Sequence, residues 1–276
     1  MRDGGMFCRP FQTLLKLYST MIKTNILLGI LAVTAAAPLL RAQLTVSNAV
    51  DYSSGKYGQR IRTDIFTDEV TAGYDYQAWT GKVIIAPYEE ITGPGNVVPR
   101  IGRIRRVVRF VQTKQTHSGF GDIELSGSYD AYQDESSGWD ASLTGEVKFG
   151  TASASKNLGT GKDDFSPSID VSRTLGKFTP WLNVGYWFVG KPAGTNLRDY
   201  AYGTLGTSYA VDDSTSVSLS FDCSERSSDA SNVANDVALD LNRKLDKSWS
   251  VDAYVLAGLS KAAPDFEVNG SVSYKF

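Results

Sequence analysis

The sequence is poor in the residues that build metal centres, disulfides and general-base catalysis. Its 276 residues include one histidine and two cysteines. One cysteine, Cys8, precedes a segment that we interpret as a cleaved signal, so the mature chain keeps only Cys223 and can form no intrachain disulfide. The same count excludes cysteine-rich zinc clusters. We therefore predict no cofactor and no metal site.

The sequence also has almost no net charge and almost no long apolar runs. The formal net charge is −2, so nothing in the composition favours nucleic acid as a partner. One segment alone, residues 21–42, approaches the roughly 18 apolar residues of a membrane helix. Lys23 precedes its apolar centre and small residues follow, which is the layout of a secretory signal. Pro38 and Arg41 interrupt the segment and argue against a retained spanning helix.

The signal divides the chain into three expected parts. Residues 1–20 are interpreted as an extension from a start codon assigned too early, residues 21–42 as the signal peptide and residues 43–276 as the mature domain. Cleavage after Ala42 is preferred, and cleavage after Ala37 remains open. A lipid-anchored N-terminus is not expected, because no cysteine lies at the cleavage region.

From Gly121 onward, apolar and polar side chains alternate over segments of about ten to thirteen residues. In the last segment, Val268 and Val272 share one face, and Glu267 and Ser271 share the other. Soluble strands usually run about five or six residues, whereas a tilted membrane-spanning strand needs about nine to eleven. Aromatic residues at the ends of the apolar faces, and small residues in their middles, favour a membrane barrel over a soluble β-sandwich.

The links between these segments alternate between short turns and longer polar loops, as in outer-membrane barrels. The sequence therefore predicts an all-β fold: a closed antiparallel transmembrane β-barrel with short periplasmic turns and longer extracellular loops. The sequence predicts twelve strands, near residues 44–52, 61–77, 80–89, 120–133, 138–151, 164–175, 178–190, 198–210, 214–225, 235–245, 248–259 and 265–276. Counts of ten or fourteen strands stay open, because Pro87 lacks a ladder donor and the alternation before Val70 is weak.

Several segments carry a resemblance to a known family. They are YGQRIRTDIF, ITGPGNVVP, GFGDIELSGSYD, VKFGTASASKNLGTGKDDFSPSIDVSRTLG and TPWLNVGYWFVGKP. The chain resembles proteobacterial outer-membrane transporter proteins related to the phenol-degradation meta-pathway barrel family, from Tyr52 to Phe276 and most specifically from Gly119 to Pro192. The resemblance implies a barrel and suggests passage of small, often hydrophobic or aromatic compounds. Many members of the phenol-associated branch have a proline before the residue matching Thr151, whereas this chain has Gly150.

The predicted inward face carries more acidic than basic side chains, which favours a water-filled lumen that admits cations or neutral solutes. The alternative is a packed interior whose charges pair with one another. Trp181 and Trp187 are candidates to stack on an aromatic solute, with simple packing as their alternative. The lumen-lining candidates are Glu124, Asp140, Glu146, Lys148, Asp170, Trp181, Asn183, Trp187, Asp240, Asp252 and Glu267.

Two features outside the strand faces suggest partners. The long link before residue 120 contains a basic cluster of Arg103, Arg105, Arg106 and Arg109. This cluster is either a loop that folds into the pore or binds lipopolysaccharide phosphates, or a solvated hairpin. Phe276 closes an alternating strand, as in barrels that are delivered to the outer-membrane assembly machinery. The expected partners are thus that machinery, outer-membrane lipid and lipopolysaccharide, and an unidentified small solute.

An enzymatic barrel with a serine–histidine pair is the weakest alternative. His117 is the sole histidine and lies, with Ser118, in a predicted loop. We therefore predict no catalytic residue. Two functions remain: a channel or transporter in the outer membrane of a Gram-negative bacterium, or a structural or adhesion barrel in the same place.

Overall fold

The computed structural model describes residues 43–94, 114–228 and 231–276. The predicted start extension, the signal peptide and the basic cluster therefore lie outside the described residues. Within those three ranges no helix is long and apolar enough to span a membrane.

The described chain is almost entirely β-structure, with one short 3-10 helix at Ala154–Lys156. The strands are β1 (Gln43–Gly55), β2 (Thr63–Tyr76), β3 (Trp79–Gly93), β4 (Gln115–Gly119), β5 (Ile123–Asp134), β6 (Trp139–Phe149), β7 (Asp164–Arg173), β8 (Phe178–Trp187), β9 (Tyr200–Ala210), β10 (Thr215–Ser224), β11 (Ala234–Lys244), β12 (Trp249–Gly258) and β13 (Phe266–Lys275).

Twelve of these strands form one closed antiparallel barrel, as predicted. Closure comes from β1, which pairs with β2 on one edge and with β13 on the other. A closed ladder leaves no sheet edge with unpaired N–H and C=O groups in the hydrocarbon layer. A strand of ten residues at a rise of about 3.3 Å is long enough to cross this layer at the tilt of a barrel.

The remaining strand, β4, lies outside the barrel ring and was not predicted. It pairs with Glu89–Gly93, the outer end of β3. The sequence placed the end of the third strand near residue 89 and treated residues 91–119 as a link. The structure corrects this. β3 continues to Gly93, and its additional residues pair with Gln115–Gly119.

Pro87 lies in a bulge of β3. The β2–β3 register shifts between Asp68 opposite Tyr88 and Val70 opposite Ile85, which leaves Ala86 and Pro87 without regular partners. A bulge tolerates proline because the extra residue need not donate to the ladder. The region with the weakest sequence pattern thus contains the two longest strands, β2 with 14 residues and β3 with 15.

The two faces of the barrel wall differ as the alternation predicts. In β8, the apolar side chains of Leu182 and Val184 are exposed on the outer face, while Trp181 and Asn183 are half-buried on the inner face. Aromatic rings form two girdles at the ends of the outer face, the levels at which such side chains meet the membrane–water interfaces. The girdle pairs are Trp79–Tyr129, Phe178–Tyr209 and Trp249–Tyr274 at the short-turn end, and Phe165–Phe188 and Tyr52–Phe266 at the long-loop end.

Three short turns share an Asp-x-Ser sequence. In each turn the serine N–H donates to the carboxylate of Asp134, Asp212 or Asp246, at 2.9, 2.8 and 2.7 Å. This hydrogen bond fixes the chain reversal between two strands. The N–H of Trp249, and then that of Ser248, lower the pKa of the Asp246 carboxyl below its ordinary value. The pKa of Asp212 is lowered in the same way, chiefly by the N–H of its own serine.

Candidate functional site: the lumen wall

A row of polar side chains crosses the inner face of β5 to β11. Each residue in the row lies opposite the next in the strand register. Because cross-strand partners in an antiparallel ladder point to the same face, these side chains form one continuous row on the lumen wall, and the row runs obliquely to the barrel axis because the strands are tilted. We call this row the acidic band. Its residues are Asp130, Ser142, Asp170, Asn183, Thr204, Asp222 and Asp236.

Hydrogen bonds to neutral partners hold two carboxylates of the band. Asn183 Nδ2 donates to Asp170 Oδ1 at 2.8 Å, and Thr204 Oγ1 donates to Asp222 Oδ1 at 2.5 Å. Asp222 is only 5% exposed, and its second oxygen, Oδ2, accepts no hydrogen bond from the residues that the structure describes. In the part of the chain that the structure describes, no lysine or arginine forms an ion pair with Asp130, Asp170 or Asp222.

Two aromatic rings flank the band on the inner face of β8 and β9. Trp181 lies opposite Gly206, and Tyr202 lies opposite Gly185. A side chain at either glycine would collide with the facing ring, so the glycines allow both rings to lie flat along the wall. The Tyr202 hydroxyl hydrogen-bonds Ser166 Oγ at 2.9 Å. We call Trp181 and Tyr202 the aromatic wall.

A cavity of about 240 Å³ opens beside the band in the half of the lumen nearer the short turns. This volume is below the roughly 300–1,000 Å³ of pockets for drug-sized ligands, so the cavity suits a smaller solute. Carboxylates, hydroxyls and one indole meet there. The lining side chains that matter below are Asp130, Asp140, Asp170, Ser142, Ser172 and Trp181.

The half of the lumen nearer the long loops is packed rather than open. Tyr57 from the β1–β2 loop and Leu158 from the β6–β7 loop are buried against Ile65 and Ile91, near the ends of β2 and β3. Trp187 is also buried, in a separate cluster with Val189, Leu197 and Tyr200. Within the described residues, the lumen therefore narrows toward the long loops, and Trp187 packs instead of facing a cavity.

Lys148 is fully buried and lies between two carboxylates. Its Nζ is 2.8 Å from Asp122 Oδ2 and 3.1 Å from Asp164 Oδ2. The other oxygens of these carboxylates accept the backbone N–H groups of Ala152 and Gly190, each at 2.8 Å. The Lys148 charge is thus neutralised within the wall, where it fastens the loops that follow β6 and β8.

The other lumen-lining candidates also lie on inner faces. Glu124 and Glu146 are half-buried on β5 and β6, beside Lys148 and the band. Asp140 and Asp170 line the cavity together with Trp181. The remaining candidates on β11, β12 and β13 are Asp240, Asp252 and Glu267, of which Asp240 and Glu267 are buried.

Besides the further members of the acidic band, the inner face carries Tyr254, Asp51 and Tyr202, which the candidate set did not include. The Tyr254 hydroxyl lies within hydrogen-bond distance of two carboxylates, that of Glu267 and, at 3.2 Å, that of Asp51. Tyr202 belongs to the aromatic wall. Each of the three lies two residues from another polar residue of its own strand, and this spacing is the sequence signal that would have found it.

The structure corrects the placement of His117 and Ser118. Both lie in β4 rather than in a loop, and His117 Nε2 is 3.1 Å from Gln115 Oε1. Adjacent residues of a strand point to opposite faces, so this segment does not present a serine–histidine pair. Among the described residues, no group of three or more His, Cys, Asp or Glu side chains is arranged to hold a metal ion.

A closed barrel with a polar interior, an apolar exterior and two aromatic girdles is an outer-membrane barrel of the porin and channel type. Three solved structures share this fold. The COG4313 outer membrane channel from Pseudomonas putida F1 has a TM-score of 0.63 and 14% identity, over 87% of this chain and 97% of that chain. The NanC porin has a TM-score of 0.54 and 9% identity, over 84% and 100% of the two chains. The KdgM porin has a TM-score of 0.52 and 10% identity, over 84% and 99%.

The chain belongs to the family described as "Putative MetA-pathway of phenol degradation", whose model matches residues 47–276. The family resemblance inferred from the sequence is thereby confirmed. No curated protein sequence matches the chain. The solved structures that share the fold are porins and channels.

Proposed function

We propose that this chain is an outer-membrane channel that passes small solutes with an aromatic or apolar body. The observation that carries the proposal is the aromatic wall on the inner face, where Trp181 lines the cavity and Tyr202 lies farther toward the long loops. A barrel that only enclosed water would need no such rings. The fold shared with porins and channels supports the same function.

Stacking on such rings suits conduction. An aromatic pair contributes about 0.5–1.5 kcal/mol beyond its buried area. A channel site must bind well enough to admit a solute and weakly enough to release it, and a contact of this size meets both conditions. The short turns at one end support an orientation with the termini in the periplasm and the long loops outside the cell.

The test is solute flux through the mature, refolded protein in liposomes. Uptake of benzyl alcohol is compared with uptake of glycerol, which lacks a ring. We expect Trp181→Ala with Tyr202→Ala to slow benzyl alcohol several-fold and to leave glycerol uptake equal or faster, because the rings are removed and the lumen is widened. Trp139→Ala is the matched control, since Trp139 is exposed on the outer face at the same end. Equal slowing by the control, or no effect of the double variant, would count against the proposal.

The packed half of the lumen favours a second candidate, a structural or adhesion barrel without transport. The buried cluster around Leu158 and Tyr57 is the specific observation. A barrel of this kind, folded and inserted in bilayers, would pass neither benzyl alcohol nor ions. The same liposome measurement therefore decides between the two functions.

A further inference from the structure

We propose that the buried apolar cluster at the long-loop end of the lumen is a hydrophobic gate, which admits apolar solutes and excludes ions. We call this cluster the apolar gate, and its residues are Tyr57, Ile65, Ile91, Ala152 and Leu158. This inference rests on the proposed channel function and names the constriction that selects the solute. Leu158 is the residue on which the selection depends most, because it borders the charged part of the lumen.

The apolar gate interrupts a run of polar residues on the inner face of β2. Ile65 is buried there, and two residues from it the same face carries Thr63 on one side and Thr67 on the other. Its cross-strand partner on β3 is the buried Ile91, and two residues from Ile91 the inner face carries Glu89. Two residues correspond to about 7 Å along a strand. The apolar layer on these strands is therefore one residue deep, with polar groups next to it.

Leu158 reaches this layer from the β6–β7 loop and is only 2% exposed. A side chain at Gly119 would meet Leu158 Cδ1 at 2.8 Å, so the leucine lies directly against the end of β4. The backbone of the loop fixes this position. Asn157 has a φ of 59°, in the left-handed region, and the N–H of Leu158 donates to the Ser153 carbonyl at 3.1 Å. The tip of the loop is thus a closed turn rather than an extended segment.

Polar contacts attach this loop to the barrel wall. The Asp122 carboxylate accepts the N–H of Ala152 at Oδ1, and its Oδ2 lies 2.8 Å from Lys148 Nζ. Lys156 Nζ donates to the Ser118 carbonyl at 3.2 Å. These contacts do not involve the leucine side chain. Replacing that side chain should therefore change the polarity of the gate more than the position of the loop.

A small cavity of about 20 Å³ lies next to Leu158. Glu69, Glu89, Glu124 and Lys148 also line this cavity, so Leu158 is in contact with the same space as four charged side chains of the inner face. A polar cavity of this size has room for about one water molecule. Leu158 therefore lies at the boundary between the apolar gate and the charged part of the lumen.

This boundary affects charged and apolar solutes differently. An ion that enters an apolar constriction loses its hydration, and burying a charge without a partner is very costly. Narrow hydrophobic constrictions in channels also exclude water itself. The Tyr57 hydroxyl is the one polar side-chain group of the gate, and it donates to Ser53 Oγ at 3.1 Å. An apolar solute, by contrast, gains free energy when it leaves water for such a layer.

The experiment compares ion current through single channels with benzyl alcohol uptake into liposomes, both for the mature, refolded protein. Leu158→Asn replaces the leucine by a polar side chain of similar size. We expect this variant to raise the single-channel current in KCl several-fold, because the gate becomes hydrated, and to leave benzyl alcohol uptake equal or slower. Ile65→Thr, a second change to a polar side chain, should act in the same direction.

Leu256→Asn is the matched control. Leu256 is a similarly buried leucine, 3% exposed, on β12 and outside the gate. The same substitution at this position should leave the ion current as low as in the unmodified protein. Leu158→Met keeps the gate apolar at similar volume and should also keep the current low. Heat-dependent gel mobility shows whether each variant is a folded barrel, and Ile65→Thr carries the test if Leu158→Asn does not fold.

The outcomes separate the gate from a simple plug and from the channel function. A current that rises in Leu158→Ala but not in Leu158→Asn would show that size rather than polarity limits the ions, and would overturn the gate. Equal currents in Leu158→Asn and Leu256→Asn would also overturn it, and benzyl alcohol uptake would leave the channel standing. Folded barrels that pass neither ions nor benzyl alcohol in any variant would overturn the channel function itself.

Discussion

Lys148 and Asp170 are both charged residues on the inner face, yet they have different environments. Lys148 is completely buried between Asp122 and Asp164, so its charge is compensated inside the wall. Asp170 is half-buried, is hydrogen-bonded by the neutral Asn183 and lines the cavity. Alternation in the sequence identifies the face on which each residue lies. Burial and partners then separate a charge that fastens the wall from one that can meet a solute.

The buried lysine should be important for stability. We expect Lys148→Met to lower the free energy of unfolding by about 3–5 kcal/mol, because removing one partner of a buried ion pair leaves uncompensated charge. Adding Asp122→Asn and Asp164→Asn should restore most of the loss. Lys156→Met is the control and should cost much less, since Lys156 is exposed and, among the described residues, its ammonium donates only to the Ser118 carbonyl. Urea unfolding of the refolded protein in detergent micelles measures each value, and a Lys148→Met barrel as stable as the Lys156→Met barrel would contradict the prediction.

At the scale of strands, alternation predicted position well wherever pairing is regular. Strand β8 was expected over residues 178–190 and spans Phe178–Trp187, and β12 was expected over 248–259 and spans Trp249–Gly258. The errors lie at β3 and β4. The bulge at Pro87 shifts the register of β3, and β4 exists only because β3 continues to pair beyond it. Such pairing joins segments that are distant in the sequence, so it cannot be predicted from the alternation of apolar and polar side chains within one segment.

The candidate site shows the same division between local and non-local information. The inner-face position of Trp181 follows from the alternation within one strand. The acidic band does not, because it needs the register of seven strands from Asp130 to Asp236. The flat position of Tyr202 also depends on Gly185 in the neighbouring strand. The types of side chain in the lumen could therefore be predicted from the sequence. Their grouping into the acidic band and the aromatic wall could be seen only in the structure.

The short turns should make stability depend on pH. The hydrogen bonds from Trp249 and Ser248 lower the pKa of Asp246 relative to the unfolded chain, so the folded state favours the ionised carboxylate. The stabilisation is present above the unfolded pKa of about 4 and is lost as the pH falls through the lower folded pKa. Asp246→Asn should therefore reduce the loss of stability between about pH 5 and pH 2. Urea unfolding at a series of pH values tests this, with Asp213→Asn as control. A pH profile unchanged by Asp246→Asn, or changed equally by Asp213→Asn, would show that the turn hydrogen bonds do not carry the effect.

At the scale of the whole molecule, the last strand closes the barrel. β13 pairs with β12 on one edge and with β1 on the other, and Phe276 N–H donates to the Leu44 carbonyl at 2.9 Å just beyond the strand end. The Phe276 ring is exposed and contacts Tyr274 with 4.7 Å between ring centroids, within the girdle at the short-turn end. The residue is 47% exposed in the finished barrel. The predicted recognition by the assembly machinery thus concerns a side chain at the surface.

Phe276 should therefore affect assembly in cells more than the stability of the finished barrel. We expect Phe276→Ala to reduce the amount of folded protein in the outer membrane several-fold, while its unfolding midpoint after refolding in vitro changes little. Phe178→Ala is the matched control, because Phe178 is also an exposed phenylalanine of the same girdle and does not end the chain. Heat-dependent gel mobility of outer-membrane fractions gives the folded amount. Equal folded amounts for the two variants would remove the assembly role from Phe276, and a large loss of in vitro stability in Phe276→Ala would place its contribution in barrel closure instead.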